Sequence, residues 1–357
     1  KTLEEATPQQ IFQAVAYAIK DAVVDNWMTT QQEYEKQDPK TVYYLSMEFL
    51  VGRTLGCNLL NLGAWGEVRE ALEELGVDLN LLEDQEPDPA LGNGGMGRLA
   101  SCFMESLTTL SYSAVGCGIR YHYGLFRQAI VNGYQRELPD DWIYEGYPFE
   151  VCHPEEARIV RFGGWVEQVY NDRKKGYDFI HRDCLEVLAV PYEIPIVGYR
   201  NGIVNTMLLW DARAVTSDDQ EYNTVMEQRR LADQLSAVLY PDDSTDEGKE
   251  LRLRQEYFFV SASIQNAVAN YKKDSAAITT LPEKAVFQLN DTHPATAVAE
   301  LMRVLMDEEG LGWDEAWAVT TKCLAMTNHT VLTEALERWP AYIFTRLLPR
   351  IYQIIVE

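Results

Sequence analysis

The chain has 357 residues, 46% of them hydrophobic, enough to bury a large core near the upper end of single-domain size. Its net charge of −24 and pI near 4.6 exclude a polyanionic partner such as nucleic acid, because the whole-protein field repels phosphate backbones. No apolar run approaches the roughly eighteen residues that a membrane helix needs.

The six cysteines are Cys57, Cys102, Cys117, Cys152, Cys184 and Cys323, and none forms a C-x-x-C pair. Most lie in apolar stretches, which points to free thiols, a reducing and therefore cytoplasmic compartment, and no structural zinc. No signal peptide is evident, and the first residue is Lys rather than Met, as in a fragment or a chain lacking a disordered start.

Periodicity predicts one long amphipathic helix over 8–37, with Pro8 in its first turn and Ile11, Val15, Ala18, Ile19, Ala22 and Val23 on its apolar face. Asp38-Pro39 ends it, and Thr41–Met47 reads as a buried strand. A second helix is expected from about Phe49 and a third over roughly Glu67–Leu75. Residues 84–97 form an acidic, Pro- and Gly-rich loop, and a helix then runs from near Gly97 to about Leu110. Residues 114–212 read as mostly β, followed by long helices over 218–237 and 250–272. After that the pattern alternates: a strand at Lys284–Leu289, helices at 294–308 and 313–322, a strand at Cys323–Thr327, and helices at 331–338 and 341–356. Such alternation predicts an α/β, Rossmann-like, doubly wound parallel sheet.

In open parallel sheets, ligands bind beyond the carboxyl ends of the strands. Three polar motifs stand at such ends: Ser46-Met47-Glu48, Asn290-Asp291-Thr292-His293-Pro294 and Asn328-His329-Thr330. A fourth segment, Gly92-Asn93-Gly94-Gly95-Met96-Gly97, matches G-x-G-x-x-G and opens a helix, so its amides and the positive helix end suit an anion. A dinucleotide fingerprint is rejected, because Glu86-Pro87-Asp88-Pro89 precedes the motif where a strand is required. On this motif alone, a tight helix entry is the favoured explanation of these glycines.

Together these segments resemble the α-glucan (glycogen, starch or maltodextrin) phosphorylase family. The matching stretches are Tyr43–Leu55, Leu91–Phe103, Gly118–Phe126, Gly198–Thr206, Gly248–Phe258, Gln288–Pro294 and Thr327–Pro340, in family order and across nearly the whole chain. The resemblance implies that 1–357 is most of the N-terminal domain, the first half of a two-domain GT-B glycosyltransferase whose C-terminal cofactor domain lies beyond it. The implied reaction takes α-1,4-glucan and orthophosphate to α-glucose 1-phosphate and a shortened glucan, with pyridoxal 5′-phosphate as cofactor.

By the same resemblance, the amides of Gly94, Gly95 and Met96 face the substrate phosphate and the sugar. His329 contacts the reacting glucosyl unit. Asp291, His293 and Glu337 line the polar pocket beside that sugar, and Glu48 and Arg98 form a buried charged set near the cofactor. Asp242, Asp243 and Ser244 match a gate loop; Ser244 and Thr245 depart from the Asn and Phe of the animal enzymes. Glu35, Leu208, Ala269 and Asn270 stand where those enzymes hold AMP, so AMP activation is not expected. The 218–237 helix matches the dimer element, implying a homodimer of the complete protein. The cofactor lysine is expected beyond Glu357, so the chain alone is expected to be inactive. The alternatives are a non-catalytic glucan-binding or interaction fragment, a nicotinamide oxidoreductase, for which no strand is apparent before Gly92, and a nucleotide-sugar glucosyltransferase, against which the motifs around His293 and His329 speak.

Overall fold

The computed structural model describes residues 2–173, 175–217, 220–273, 277–333 and 336–357. Five strands form a parallel sheet in the order Leu324–Thr327, Ala285–Asn290, Thr41–Leu45, Ala114–Ile119, Val204–Ala214. Beyond the last, Leu185–Val197 pairs antiparallel, and the short strands Val151–Cys152 and Arg158–Phe162 pair antiparallel with it. The expected parallel sheet is therefore present, with an antiparallel extension at one side.

Helices cover both faces, as double winding requires. Side chains alternate along Ala114–Ile119. Gly116 meets Phe49 and Met104, while Cys117 faces Ser263 of the opposite helix. The Gly95–Thr109 and Asp246–Lys272 helices thus sandwich this strand. Phe49, Phe258, Phe259, Phe287 and Trp210 are among the buried aromatic side chains of the core. Burial pushes the thiols of Cys117 and Cys323 up to about 12, and all six cysteines are free.

The first helix spans Pro8–Gln37, as expected. Thr7 accepts from Gln10 N–H while the Gln10 side chain accepts from Thr7 N–H, a reciprocal cap. Its buried face is Phe12, Ala16, Ile19, Val23, Trp27 and Thr30. Ala18 and Ala22, expected inside, are exposed: Phe12 and Trp27 bury far more area and set the rotation.

Other boundaries differ. Phe49–Leu50 is a strand paired with Ala90–Leu91, and the helix expected there begins at Leu55. The glycine segment is consequently preceded by a two-residue strand, outside the main sheet. Its helix starts at Gly95, because the glycine turn itself supplies the first turn. The expected 294–308 helix is Ala297–Arg303 followed by a wider-wound turn over Val304–Glu308, and Pro349 divides the last helix in two. The expected helix at 331–338 includes Glu334 and Ala335, which lie outside the described residues; its other positions hold no α-helix. That at 218–237 includes Asp218 and Asp219, also outside them, and is helical over Tyr222–Leu235. Among the described residues, no helix is long and apolar enough to cross a membrane.

Glu300 is fully buried and accepts from Tyr257, Ser261 and both Nε and Nη2 of Arg303. Removing one partner of such a pair strands the other charge. Glu300→Ala is expected to lower unfolding free energy by about 3–5 kcal/mol, read by denaturant titration.

Candidate functional site

The carboxyl ends of three adjacent parallel strands align. Leu45 sits opposite Leu289, and Asn290 opposite Thr327, so Ser46, Asn290 and Asn328 emerge together. Glu48 follows Ser46 into the interior and is 3% exposed. Its Oε2 accepts from the amide of Asn93 at 2.9 Å, and its Oε1 accepts from the Tyr240 hydroxyl at 2.6 Å. One buried carboxylate therefore ties the glycine turn to the loop before the Asp246–Lys272 helix. Burial first, then Glu48, raises the Tyr240 pKa far above the usual phenol range, so this donor keeps its proton.

The glycines divide into two kinds. A Cβ on Gly97 would lie 2.9 Å from Glu48 Oε2, and one on Gly92 3.1 Å. These two are glycine because the carboxylate packs against their backbone. A Cβ on Gly94 or Gly95 would meet nothing within 4 Å. That side of the turn is open, and Gly94 provides no side-chain cap. The amides of Gly95, Met96 and Gly97 open a helix, have no acceptor within it, and carry its positive end. The turn can hold an anion.

Arg98 departs from expectation. It is exposed and donates to the carbonyls of Leu50 and Val51, both at 3.2 Å, rather than joining Glu48 in a buried charged set. At the start of the helix its stem points away from the interior, and backbone carbonyls are the acceptors within reach.

His329 is exposed, and its Nε2 hydrogen-bonds Asn290 Oδ1. Asn290 donates to Ser46 Oγ at 2.9 Å, and Ser46 donates to Glu48 O at 2.7 Å. His329 and the glycine turn thus share one hydrogen-bonded path through Asn290, Ser46 and Glu48. Asp291 holds a left-handed φ of 70°, with its N–H on Thr327 O and its Oδ1 accepting from Thr292 N–H. Aspartate tolerates this conformation better than most residues.

A second cluster centres on Arg252. It donates to Asp243 at 2.9 Å and to Glu337 at 2.7 Å, and its guanidinium lies 5.4 Å from the Tyr240 ring centroid. Burial opposes its charge, but Glu337, Glu256 and Asp243 outweigh it and raise its pKa. The Tyr240 ring lies 5.7 Å from that of His293, centroid to centroid. Burial lowers the His293 pKa against the pull of Glu337, and its Nδ1 is buried with no protein partner. Asp243, Arg252 and Glu337 line a cleft of about 660 Å³. Ser244 is exposed, with its N–H on Asp242 Oδ1, and Thr245 caps the following helix by accepting from Gly248 N–H.

The structure brings Glu48, Gly94, Gly95, Met96, Asp291, His293 and His329 to the strand ends, and links Asp243 and Glu337 to them through Arg252 and Tyr240. Sequence reasoning missed Tyr240, Arg252 and Glu256. The signal available was the four-residue spacing of Arg252 and Glu256, which puts them on one helix face. Among the described residues no cluster could hold a metal ion. Lys249, which borders the cleft, is paired with Asp246 at 3.8 Å, and the strand-end cluster contains no lysine. These residues do not fit the aldehyde of a pyridoxal cofactor.

A mostly parallel α/β sheet thus carries, at its carboxyl edge, a glycine turn with outward-facing amides, joined through Tyr240 and Arg252 to a neighbouring cleft. Residues 72–357 match the family model for carbohydrate phosphorylases, and the chain belongs to that family. It is 49% identical to the glycogen phosphorylase of Chlamydia pneumoniae over 99% of its own length and 44% of that protein. It is 47% identical to the human brain form, covering 98% of the chain and 42% of the relative, and 46% identical to the rabbit muscle form, covering 99% and 43%. The chain spans less than half the length of these relatives.

Two outcomes follow from the geometry. Gly97→Ala is expected to cost about 1–3 kcal/mol by pressing on Glu48, whereas Gly95→Ala changes stability little; paired denaturation curves distinguish them. Glu256 is 1% exposed, and burial, the Glu337 charge and a hydrogen bond to Glu337 raise its pKa well above the carboxylate range. Its raised folded pKa gives a contribution that is present below the unfolded value near 4.5 and lost as pH rises towards the folded one. Glu256→Gln should therefore melt higher than the unaltered protein at pH 8, with the difference shrinking towards pH 4.

Proposed function

We propose that the complete protein is an α-1,4-glucan phosphorylase, converting glucan and orthophosphate to α-glucose 1-phosphate and a shortened glucan, and that this chain supplies one wall of its active site. The observation that carries the proposal is the continuous hydrogen-bonded path from the glycine turn through Glu48, Ser46 and Asn290 to His329. Orthophosphate rests against the amides of Gly94, Gly95 and Met96, where helix-end donors are directed at its charge. The transferred glucosyl ring lies between this turn and His329, which meets the charge that builds on the ring as the glycosidic bond breaks. Asp291, His293 and Glu337 receive sugar hydroxyls, and Asp243 and Ser244 form the rim. Glu48 holds the turn in place, and Arg98 ties it to the neighbouring strand.

Pyridoxal 5′-phosphate is the cofactor we propose for the complete protein, and its phosphate group would supply acid–base chemistry. Among the described residues, the strand-end cluster offers no lysine to its aldehyde. The 357 residues alone are accordingly inactive and retain at most glucan binding.

Regulation by AMP is not proposed. Glu35, Leu208 and Asn270 border one cavity of about 520 Å³ together with Glu156 and Glu193, and among the described residues no lysine or arginine lines it. No described cationic side chain there would receive a nucleotide phosphate, and the carboxylates repel one. We place the protein in the cytoplasm, in keeping with its six free thiols. A homodimer of the complete protein would pair through the Tyr222–Leu235 helix, on which Tyr222 and Met226 are exposed.

Phosphorolysis assayed by glucose 1-phosphate release tests the reading. The complete protein should turn over, without a rise in rate on adding AMP, and His329→Ala should reduce its kcat by about 100-fold or more. The 357-residue chain should stay at background. A complete protein that releases no glucose 1-phosphate would refute the assignment.

A further inference from the structure

The path between Ser46 and His329 has a direction, set by what each atom can do. The Glu48 carbonyl can only accept, so the Ser46 hydroxyl proton is committed to it at 2.7 Å. Ser46 Oγ then accepts from Glu48 N–H at 3.2 Å and from the amide Nδ2 of Asn290 at 2.9 Å. Asn290 therefore turns its NH2 group to Ser46 and its Oδ1 to His329. An oxygen acceptor at Nε2 requires a proton on that nitrogen. In the neutral ring, Nδ1 is then a bare lone pair. Ser46 and Asn290 are both fully buried, so water offers neither an alternative partner.

We propose that Asn290, oriented by Ser46, is a positioning residue for glucosyl transfer: it fixes His329 as the Nε2–H tautomer, so that Nδ1 accepts a hydrogen bond from a sugar hydroxyl. The proposal rests on the phosphorylase reading above for the identity of the ligand. The opposite tautomer would set two lone pairs against each other at Asn290 Oδ1 and present an N–H to the sugar.

The test uses the complete enzyme with labelled histidine ring nitrogens, the His329 signal being assigned by its loss in His329→Gln. The unaltered enzyme should show ring nitrogen shifts of the Nε2–H form, and Asn290→Leu, which removes the acceptor, should show a mixture. Asn290→Asp keeps the shape and the acceptor, but its carboxylate favours the imidazolium, which turns Nδ1 from acceptor into donor. The acid limb of its kcat/KM profile should move up by about one to three pH units, with activity recovered on the alkaline side. Glu48 and Asp291, the carboxylates on the two strand ends beside this path, are common to both enzymes, so the difference reports residue 290. In Asn290→Leu, kcat should fall about 10- to 100-fold with the KM for phosphate unchanged. An Nδ1–H ring in the unaltered, active enzyme, or an acid limb that stays in place in Asn290→Asp, overturns the proposal. The ring spectrum needs no turnover, so an Nε2–H ring in an enzyme that releases no glucose 1-phosphate would refute the phosphorylase reading, and the sugar contact with it, while leaving the relay geometry intact.

Discussion

A single buried carboxylate organises the site. Glu48 accepts from the amide of Asn93 with one oxygen and from the Tyr240 hydroxyl with the other. Burying an ionised group without partners is costly, so the surrounding structure must keep both donors in place. Gly92 and Gly97 lack side chains because the carboxylate occupies that space. The turn between them is thereby held with Gly94 and Gly95 facing outward. An anion site built this way needs no side-chain cation, which suits a chain of net charge −24.

The strands supply the second ordering principle. Parallel register places Ser46, Asn290 and Asn328 at one edge, and the polar path across this edge couples His329 to the glycine turn. The Arg252 cluster adds a second wall. Its guanidinium satisfies Asp243 and Glu337 and borders Tyr240, so the loop at 242–244 and the segment around Glu337 lean on the same cation. Burial first, then the neighbouring Glu337 carboxylate, raises the pKa of Glu256 beside it. Sugar hydroxyls would meet a surface of fixed donors and acceptors.

Much of this was legible in the sequence. The long first helix, the parallel strands and the three polar strand ends follow from periodicity and from where ligands bind in such sheets. The family resemblance added roles that spacing alone leaves open. What escaped has physical reasons. Phe49–Leu50 carries no strand signal beyond two apolar residues, and its pairing with Ala90–Leu91 is a long-range event. The buried face of the first helix differs from the expected one because Ala18 and Ala22 were counted in it while Phe12 and Trp27, which bury more area, were left out. Arg98 was assigned to a buried charged set on resemblance, whereas it is exposed and donates to the carbonyls of Leu50 and Val51. The G-x-G-x-x-G pattern reflects close packing at its first and last glycines, and an open backbone at the middle one, which composition cannot distinguish. Tyr240 and Arg252 become site residues only through tertiary contacts.

The most direct measurement is a crystal structure of the complete protein soaked with glucose 1-phosphate. Phosphate oxygens within hydrogen-bonding distance of the Gly95 and Met96 amides, with the glucose ring beside the His329 imidazole, are the predicted result. A ligand that settles away from the glycine turn, or with its sugar out of reach of His329, would contradict the assignment.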